Sequence, residues 1–435
     1  MKVIVVGAGL AGCEAALQLA KKEIEVDLYE MRPQKTTGAH TTQNLAEFVC
    51  SNSLGSLDTT NASGLLKKEM SLLGSYLIEV AKEAQVPAGN ALAIDRKLFS
   101  QKVENLIQNS GKINLIREEI TEIPQDKPVI LASGPLTSDS LAEDIKKFTG
   151  ANHLHFFDAI APIVEKDSID FNKAFYASRY DKGEASYINC PLNKEEYEKF
   201  YNILINAPKI ELKEFEKNAK FFESCLPIEV LASRGVDTLR YGPMKPVGLV
   251  DKRTGTENYA VVQLRQDDKS ATMYNLVGFQ TNLKWGSQKE LLSSIPGLEN
   301  ANILRYGVMH RNTFINSPEI LDATLQCRQR KNLFFAGQLT GTEGYTESIA
   351  TGMLAGINMA KFLTNEPLLE LPKTTMLGAL TQYISDKEQK HFQPINSNWG
   401  IVEELNVDKK IKKNKKLKNE MMANRSVEYI SSLKF

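Results

Sequence analysis

The chain opens Val3-Ile4-Val5-Val6-Gly7-Ala8-Gly9-Leu10-Ala11-Gly12, and these ten residues limit what it can fold into. A short run of β-branched residues, apolar on both faces, reads as a buried parallel strand. Residues 14–22 then read as a helix with lysines in its last turn, and residues 26–29 as a second strand closed by Glu30. A lone G-x-G-x-x-G is a weak signal. A strand before it, a helix after it and an acid 18 residues past Gly12 give it the context of a dinucleotide-binding βαβ unit. Gly7 permits the tight turn, Gly9 lets the backbone approach a pyrophosphate, and Gly12 allows close helix–strand packing. Ala8, Leu10 and Ala11 complete the loop, and the helix start offers unpaired N–H groups to phosphate. Glu30 can accept hydrogen bonds from a ribose diol and repels a 2′-phosphate, which leaves FAD or NAD at this site.

A late segment bears on that choice. Residues 332–338 run as a strand into Gly337 and Gln338, residues 340–345 as a loop, and residues 347–356 as a helix rich in small side chains. In flavoproteins with two dinucleotide folds, such a unit returns to the first domain and sets a helix N-terminus near the flavin ring, where its dipole favours negative charge. No attachment residue is evident, so the flavin is expected to be held non-covalently.

The 435 residues carry 53 basic and 53 acidic side chains, so overall charge points to neither a nucleic acid nor a membrane. Five cysteines, none in a C-x-x-C pair, exclude a disulfide framework or a four-thiolate zinc site, and no metal is expected. No apolar run reaches the length of a membrane span. The glycines and Glu14 break what resembles a signal peptide, so a cytoplasmic location is expected. The fold class expected is α/β: an FAD-binding Rossmann-like domain of the two-dinucleotide-fold kind, with an inserted α+β domain and a helical tail. Its first part spans residues 1–134, the inserted substrate or RNA domain 135–320, the return segment 321–371, and the basic helical tail 372–435. Runs such as residues 260–264 and 273–277 suggest antiparallel strands in the insertion. Residues 195–222 read as charged helix. Seven lysines between Lys409 and Lys418 form a local basic patch suited to phosphate contact or to plain solvation.

Cys50 and Cys225 have polar neighbours. Cys13, Cys190 and Cys327 read as small buried hydrophobes. His310, beside Arg311, can pack on a ring or lie in a loop.

Beyond these local patterns, long ordered stretches resemble one family, the folate- and FAD-dependent tRNA uracil-5-methyltransferases (the TrmFO family). They include Tyr29-Glu30-Met31-Arg32-Pro33, Val49-Cys50-Ser51-Asn52-Ser53-Leu54 and Cys225-Leu226-Pro227-Ile228-Glu229-Val230. Asp237 through Leu249, Tyr306-Gly307-Val308-Met309-His310-Arg311 and Phe335-Ala336-Gly337-Gln338 extend the match to about residue 365. The resemblance implies transfer of a methylene group from methylenetetrahydrofolate to carbon 5 of a uridine in the tRNA T loop, with NAD(P)H reducing the flavin. By position it makes Cys225 the nucleophile toward the uridine, and Cys50 the group that deprotonates carbon 5 or handles the one-carbon unit. Lys245 and Arg240 would stabilise an enolate or bind folate carboxylates, and His310 and Trp285 would stack on pterin or flavin. Three positions depart from the family pattern: Gly55 in place of a basic residue, Gly38 in place of proline, Asn90 in place of glycine. They leave open a ribosomal RNA uridine as the target. A small-molecule flavin oxidoreductase and a non-catalytic RNA-binding flavoprotein are the readings of other classes. Oligomeric state is not legible.

Overall fold

A computed structural model describes residues 2–150, 154–181, 184–210, 226–251, 253–255, 258–389, 392–408, 411 and 413–433, with backbone only at 154–158 and 310–311. Strand β1 (Lys2–Val6) leads through Gly7–Gly9 into helix α1 (Leu10–Lys21) and then strand β2 (Glu25–Tyr29). Both strands pair in parallel, and β1 also pairs in parallel with Val129–Leu131. The sheet has five strands, in the order Leu333–Phe335, Val129–Leu131, β1, β2, Ile113–Ile116. Its central strands are buried, as their unbroken apolar runs require.

The returning strand Leu333–Phe335 pairs in parallel with Val129–Leu131 and feeds the helix Tyr345–Leu363. That helix packs on α1 at backbone distance. A Cβ on Gly352 would lie 2.3 Å from the Ala11 carbonyl oxygen, and one on Gly356 2.7 Å from that of Ala15.

Residues between these parts build a second, antiparallel sheet. Its order is Phe175–Ala177, Tyr187–Leu192, Ala260–Gln266, Met273–Leu276, Ile163–Glu165, Ile303–Arg305. It has its own apolar core, around Ile188, Phe200, Val262 and Phe279. The ladder Leu154–Ala159 with Met309–Phe314 joins the two regions, since Thr313 N–H donates to the Pro135 carbonyl at 2.8 Å. The charged helix is Lys194–Asn206, opened by a capping box of Asn193 and Glu196.

After residue 372 the chain is not helical throughout. Helices Met376–Ser385 and Lys415–Ser432 flank an irregular stretch holding Pro394 and Gly400. Glu69, on the helix Ala62–Leu73, ties both to the core. It accepts from the N–H groups of Met376 and Leu377 (2.6 and 2.8 Å) and from Ser426 Oγ (2.5 Å). Burial pushes its carboxyl up to about 7, against the lowering effect of these bonds. A carboxyl raised in the folded state stabilises fully below its unfolded value of 4.5, and that contribution is lost as pH rises towards 7. Relative to Glu69→Gln, the native protein therefore loses on the order of 3 kcal/mol across that window. Thermal melts of both proteins at pH 5 and pH 7.5 check this. A gap between them that does not move with pH contradicts it.

Candidate functional site

The glycine loop opens a cleft at the carboxyl ends of β1 and Val129–Leu131, where the strand order reverses. Gly7 has φ +95°, and a Cβ there would meet the Ala132 carbonyl oxygen at 2.6 Å. A Cβ on Gly12 would fall 1.8 Å from the Gly7 carbonyl oxygen, whereas one on Gly9 would meet nothing within 4 Å. Gly7 and Gly12 are thus fixed by packing, while Gly9 leaves an open approach. No side chain caps α1 at Gly9, so the helix start presents its N–H groups to the cleft. Gly7, Gly9, Leu10 and Ala11 line the cleft; Ala8 and Gly12 stand behind it. Ser133 to Ser138 form the opposite rim.

Glu30 lines the cleft and is almost fully buried. Its carboxylate accepts from Ala8 N–H at 3.2 Å and from Arg32 Nε at 2.8 Å. Burial would raise this carboxyl, but Arg32 and the two backbone N–H groups outweigh it and hold the group below its usual range. Arg32, 2% exposed, also pairs with Glu47 at 2.9 Å. On the far side Gly337 (φ +74°) and Gln338 line the cleft, and Gln338 Nε2 donates to Glu343 Oε1 at 2.6 Å. An ionised diol acceptor, an open glycine and an uncapped helix start fit FAD.

Cys50 adjoins this cleft without lining it. Its neighbour Val49 lines the wall, as does Tyr345, whose hydroxyl oxygen accepts the Cys50 N–H at 2.6 Å. The Tyr345 ring lies 4.3 Å from that of Phe48. Three arginines grip the same loop. Arg96 donates to the carbonyls of Phe48 (2.7 Å) and Cys50 (2.8 Å) while pairing with Asp267. Arg305 donates to Val49 (2.8 Å) and Ala39 (3.1 Å), and Arg265 to Ser51 Oγ and Asn52 Oδ1 (2.9 and 3.0 Å). Further along, Lys67 Nζ and Thr346 Oγ1 both donate to the Leu54 carbonyl. Gly55 has φ +77°, a left-handed conformation that suits glycine better than the basic residue the family pattern called for.

Cys225 falls outside the described residues. His310 pairs through its backbone with Asp158; its side chain is outside the described set. Trp285 is 62% exposed and stacks on Tyr306 at 5.3 Å. Arg240 is engaged away from the cleft, its guanidinium 3.5 Å above the Tyr259 ring and 2.7 Å from Asp237. Lys245 is exposed, and its backbone carbonyl accepts from Arg179. Cys13, Cys190 and Cys327 are buried, and burial pushes the thiols of the first two up. Among the described residues no group of three or more His, Cys, Asp or Glu could hold a metal ion. No helix among them is long and apolar enough to cross a membrane. Sequence reading missed Arg32 and Glu47 as the clamp on Glu30, and Tyr345 as the link to Cys50. The first left a signal, an arginine two residues past Glu30.

A parallel βαβ sheet, a returning glycine-hinged helix and an acid-lined cleft between them define an FAD-binding flavoprotein. The family profile described as "Glucose inhibited division protein A", GIDA, matches residues 2–367. A methylenetetrahydrofolate–tRNA-(uracil-5-)-methyltransferase TrmFO of Bacillus velezensis is 56% identical over 431 residues, covering 99% of this chain and 98% of its own. Its namesake in Bacillus subtilis is 57% identical over the same length. The chain belongs to the GidA family and, within it, to the TrmFO family. Two crystal forms of Aquifex aeolicus GidA share the fold, with TM-scores of 0.69 and 0.70 at 16% identity. They match all of this chain and 74% and 76% of their own.

Proposed function

We propose that this chain methylates carbon 5 of a uridine in the T loop of tRNA, in the cytoplasm, taking its one-carbon unit from methylenetetrahydrofolate. The observation that carries the reading is the contact between cleft and loop: Tyr345 lines the FAD cleft and holds the Cys50 backbone at 2.6 Å. Once bound and reduced by NAD(P)H, FAD would supply the electrons that turn methylene into methyl. Gly7, Gly9, Glu30, Gly337 and Gln338 would hold it.

The protein's own part is to make carbon 5 nucleophilic. A Cys225 thiolate adds to carbon 6, and the C5–C6 π pair shifts to the carbonyl oxygen as an enolate. Carbon 5 then attacks the methylene carbon. Cys50 takes the carbon 5 proton as the methylene–nitrogen bond breaks and tetrahydrofolate leaves. Once the hydride that reduced flavin would supply has completed the methyl group, expulsion of the Cys225 thiolate restores the ring. His310 and Trp285 would flank the folate. Residues 135–320 would seat the RNA beside the cleft, and Lys245 would face its anionic groups. The target base must leave its stack to react, at about a few kcal/mol. Lys413, Lys415 and Lys416 are exposed on the C-terminal segment and would contact phosphates rather than read bases.

Incubating the protein with methylenetetrahydrofolate, NADPH and either tRNA or 23S ribosomal RNA tests this. 5-Methyluridine should form on tRNA, with binding weakening steeply as salt rises. Product on ribosomal RNA alone would move the target, and product on neither would refute the enzyme.

A further inference from the structure

The ion network tied to residues 47–52 does not balance. Four guanidinium groups, those of Arg32, Arg96, Arg265 and Arg305, meet three carboxylates, those of Glu30, Glu47 and Asp267. Arg32 is matched by Glu30 and Glu47, and Arg96 by Asp267. Arg265 and Arg305 bond to neutral oxygens of the loop and its neighbours. The described carboxylates of this network thus leave one positive charge in excess. Burial and the like charge of Arg96 pull the Arg305 guanidinium below its ordinary range, while negative charge on Tyr345, Cys50 and Glu47 acts to raise it. Cys50 likewise favours the charged form of Arg96. Buried cations are stable where an anion completes them.

We propose that Arg96 and Arg305 are positioning residues for Cys50, keeping it as a standing thiolate poised to take the carbon 5 proton of the uracil ring. The Arg96 guanidinium sits on the carbonyls of residues 48 and 50, and that of Arg305 on the carbonyl of residue 49. A thiolate in such an electropositive, partly buried setting is the reactive form of cysteine. Among the described residues, other titratable groups packed here include Tyr345, which accepts the Cys50 N–H, Tyr187, whose charge acts on Arg265, and His40, whose charge acts on Glu47. One contact opposes the proposal: as a thiol, Cys50 donates to the Ala159 carbonyl at 3.5 Å. That sulfur bond is weak, since a thiol is a poor donor. The proton leaves Cys50 to solvent before the RNA binds. The sulfur later receives the carbon 5 proton, and the C5–H electron pair stays in the ring. The role assigned to this thiolate rests on the function proposed above.

The test is the pH profile of Cys50 alkylation by iodoacetamide in the FAD-loaded protein, without RNA or folate, read by peptide mass spectrometry. The wild-type midpoint should lie at least one pH unit below the roughly 8.5 of an ordinary thiol. Arg305→Gln should raise it by about one unit, and Arg305→Lys should restore it. Arg96→Gln is read in the same way if Arg305→Gln does not fold. A wild-type midpoint near the ordinary value, or one that neither Gln variant moves, overturns the proposal. Alkylation needs no turnover, so an unmoved midpoint in a protein that methylates tRNA refutes the arginines' role alone. A displaced midpoint in a protein that methylates nothing refutes the functional reading instead.

Discussion

Cys225→Ala, purified with its flavin, should form no measurable 5-methyluridine on tRNA, a loss on the order of 10⁴-fold or more. Carbon 5 of uracil is a poor nucleophile until a sulfur adds at carbon 6, and no other residue can substitute for that covalent step. Cys50→Ala should lose less, about 10² to 10⁴-fold, because water can accept a proton where it cannot replace a covalent nucleophile. Cys50 does not line the FAD cleft, so Cys50→Ala should keep the flavin absorbance of the wild type. Methylation by Cys225→Ala at even a hundredth of the native rate would remove that sulfur from the mechanism.

Gly12→Ala and Gly9→Ala should fail in opposite ways. Inside a helix, alanine in place of glycine ordinarily gains about 1 kcal/mol. At Gly12 the new Cβ would lie 1.8 Å from the Gly7 carbonyl oxygen, and backbone cannot move aside as a side-chain tip can. Overpacking costs typically 1–3 kcal/mol, and so close a backbone contact puts the loss at about 3 kcal/mol or above. The variant should melt several degrees early and lose FAD because the turn itself is deformed. At Gly9 the backbone is extended with φ −76°, and a Cβ meets nothing. Gly9→Ala should keep its fold and its melting temperature without ligand, yet bind FAD at least tenfold more weakly, since the methyl occupies the path of the pyrophosphate. Equal melting temperatures for Gly12→Ala and wild type would contradict the packing argument.

These two glycines also show what local sequence carries. Strand, turn, helix and acid follow one another within thirty residues, so the βαβ unit and its cleft-lining residues were legible before any coordinates. The return strand was legible for the same reason. Its helix was read too short, over residues 347–356 rather than Tyr345–Leu363. Gly352 and Gly356 look like breakers in sequence, but they are the points where two backbones meet. The sequence marks the tail as helical, and it holds two helices; Pro394 and Gly400 lie in non-helical residues between them.

The site was legible only where its residues are neighbours. Glu30 is legible, but Glu47, which shares Arg32 with it, lies 15 residues beyond that arginine. Arg96 and Asp267 are 171 residues apart, and Tyr345 is 295 from Cys50. No local pattern joins such pairs; the antiparallel sheet and the return helix do. Arg240 shows the converse. A basic residue inside a long matching stretch invited a role in chemistry, while its charge is spent on Asp237 and its flat face on Tyr259.

The most direct test of the central claim follows a labelled carbon. The purified yellow protein is given methylenetetrahydrofolate carrying ¹⁴C in its methylene group, NADPH and unmodified tRNA, with no S-adenosylmethionine present. The label should appear in 5-methyluridine at the T loop, and the transfer should vanish when FAD is removed and return when it is restored. Label that never reaches the RNA, or that reaches it equally well without FAD, would contradict the account.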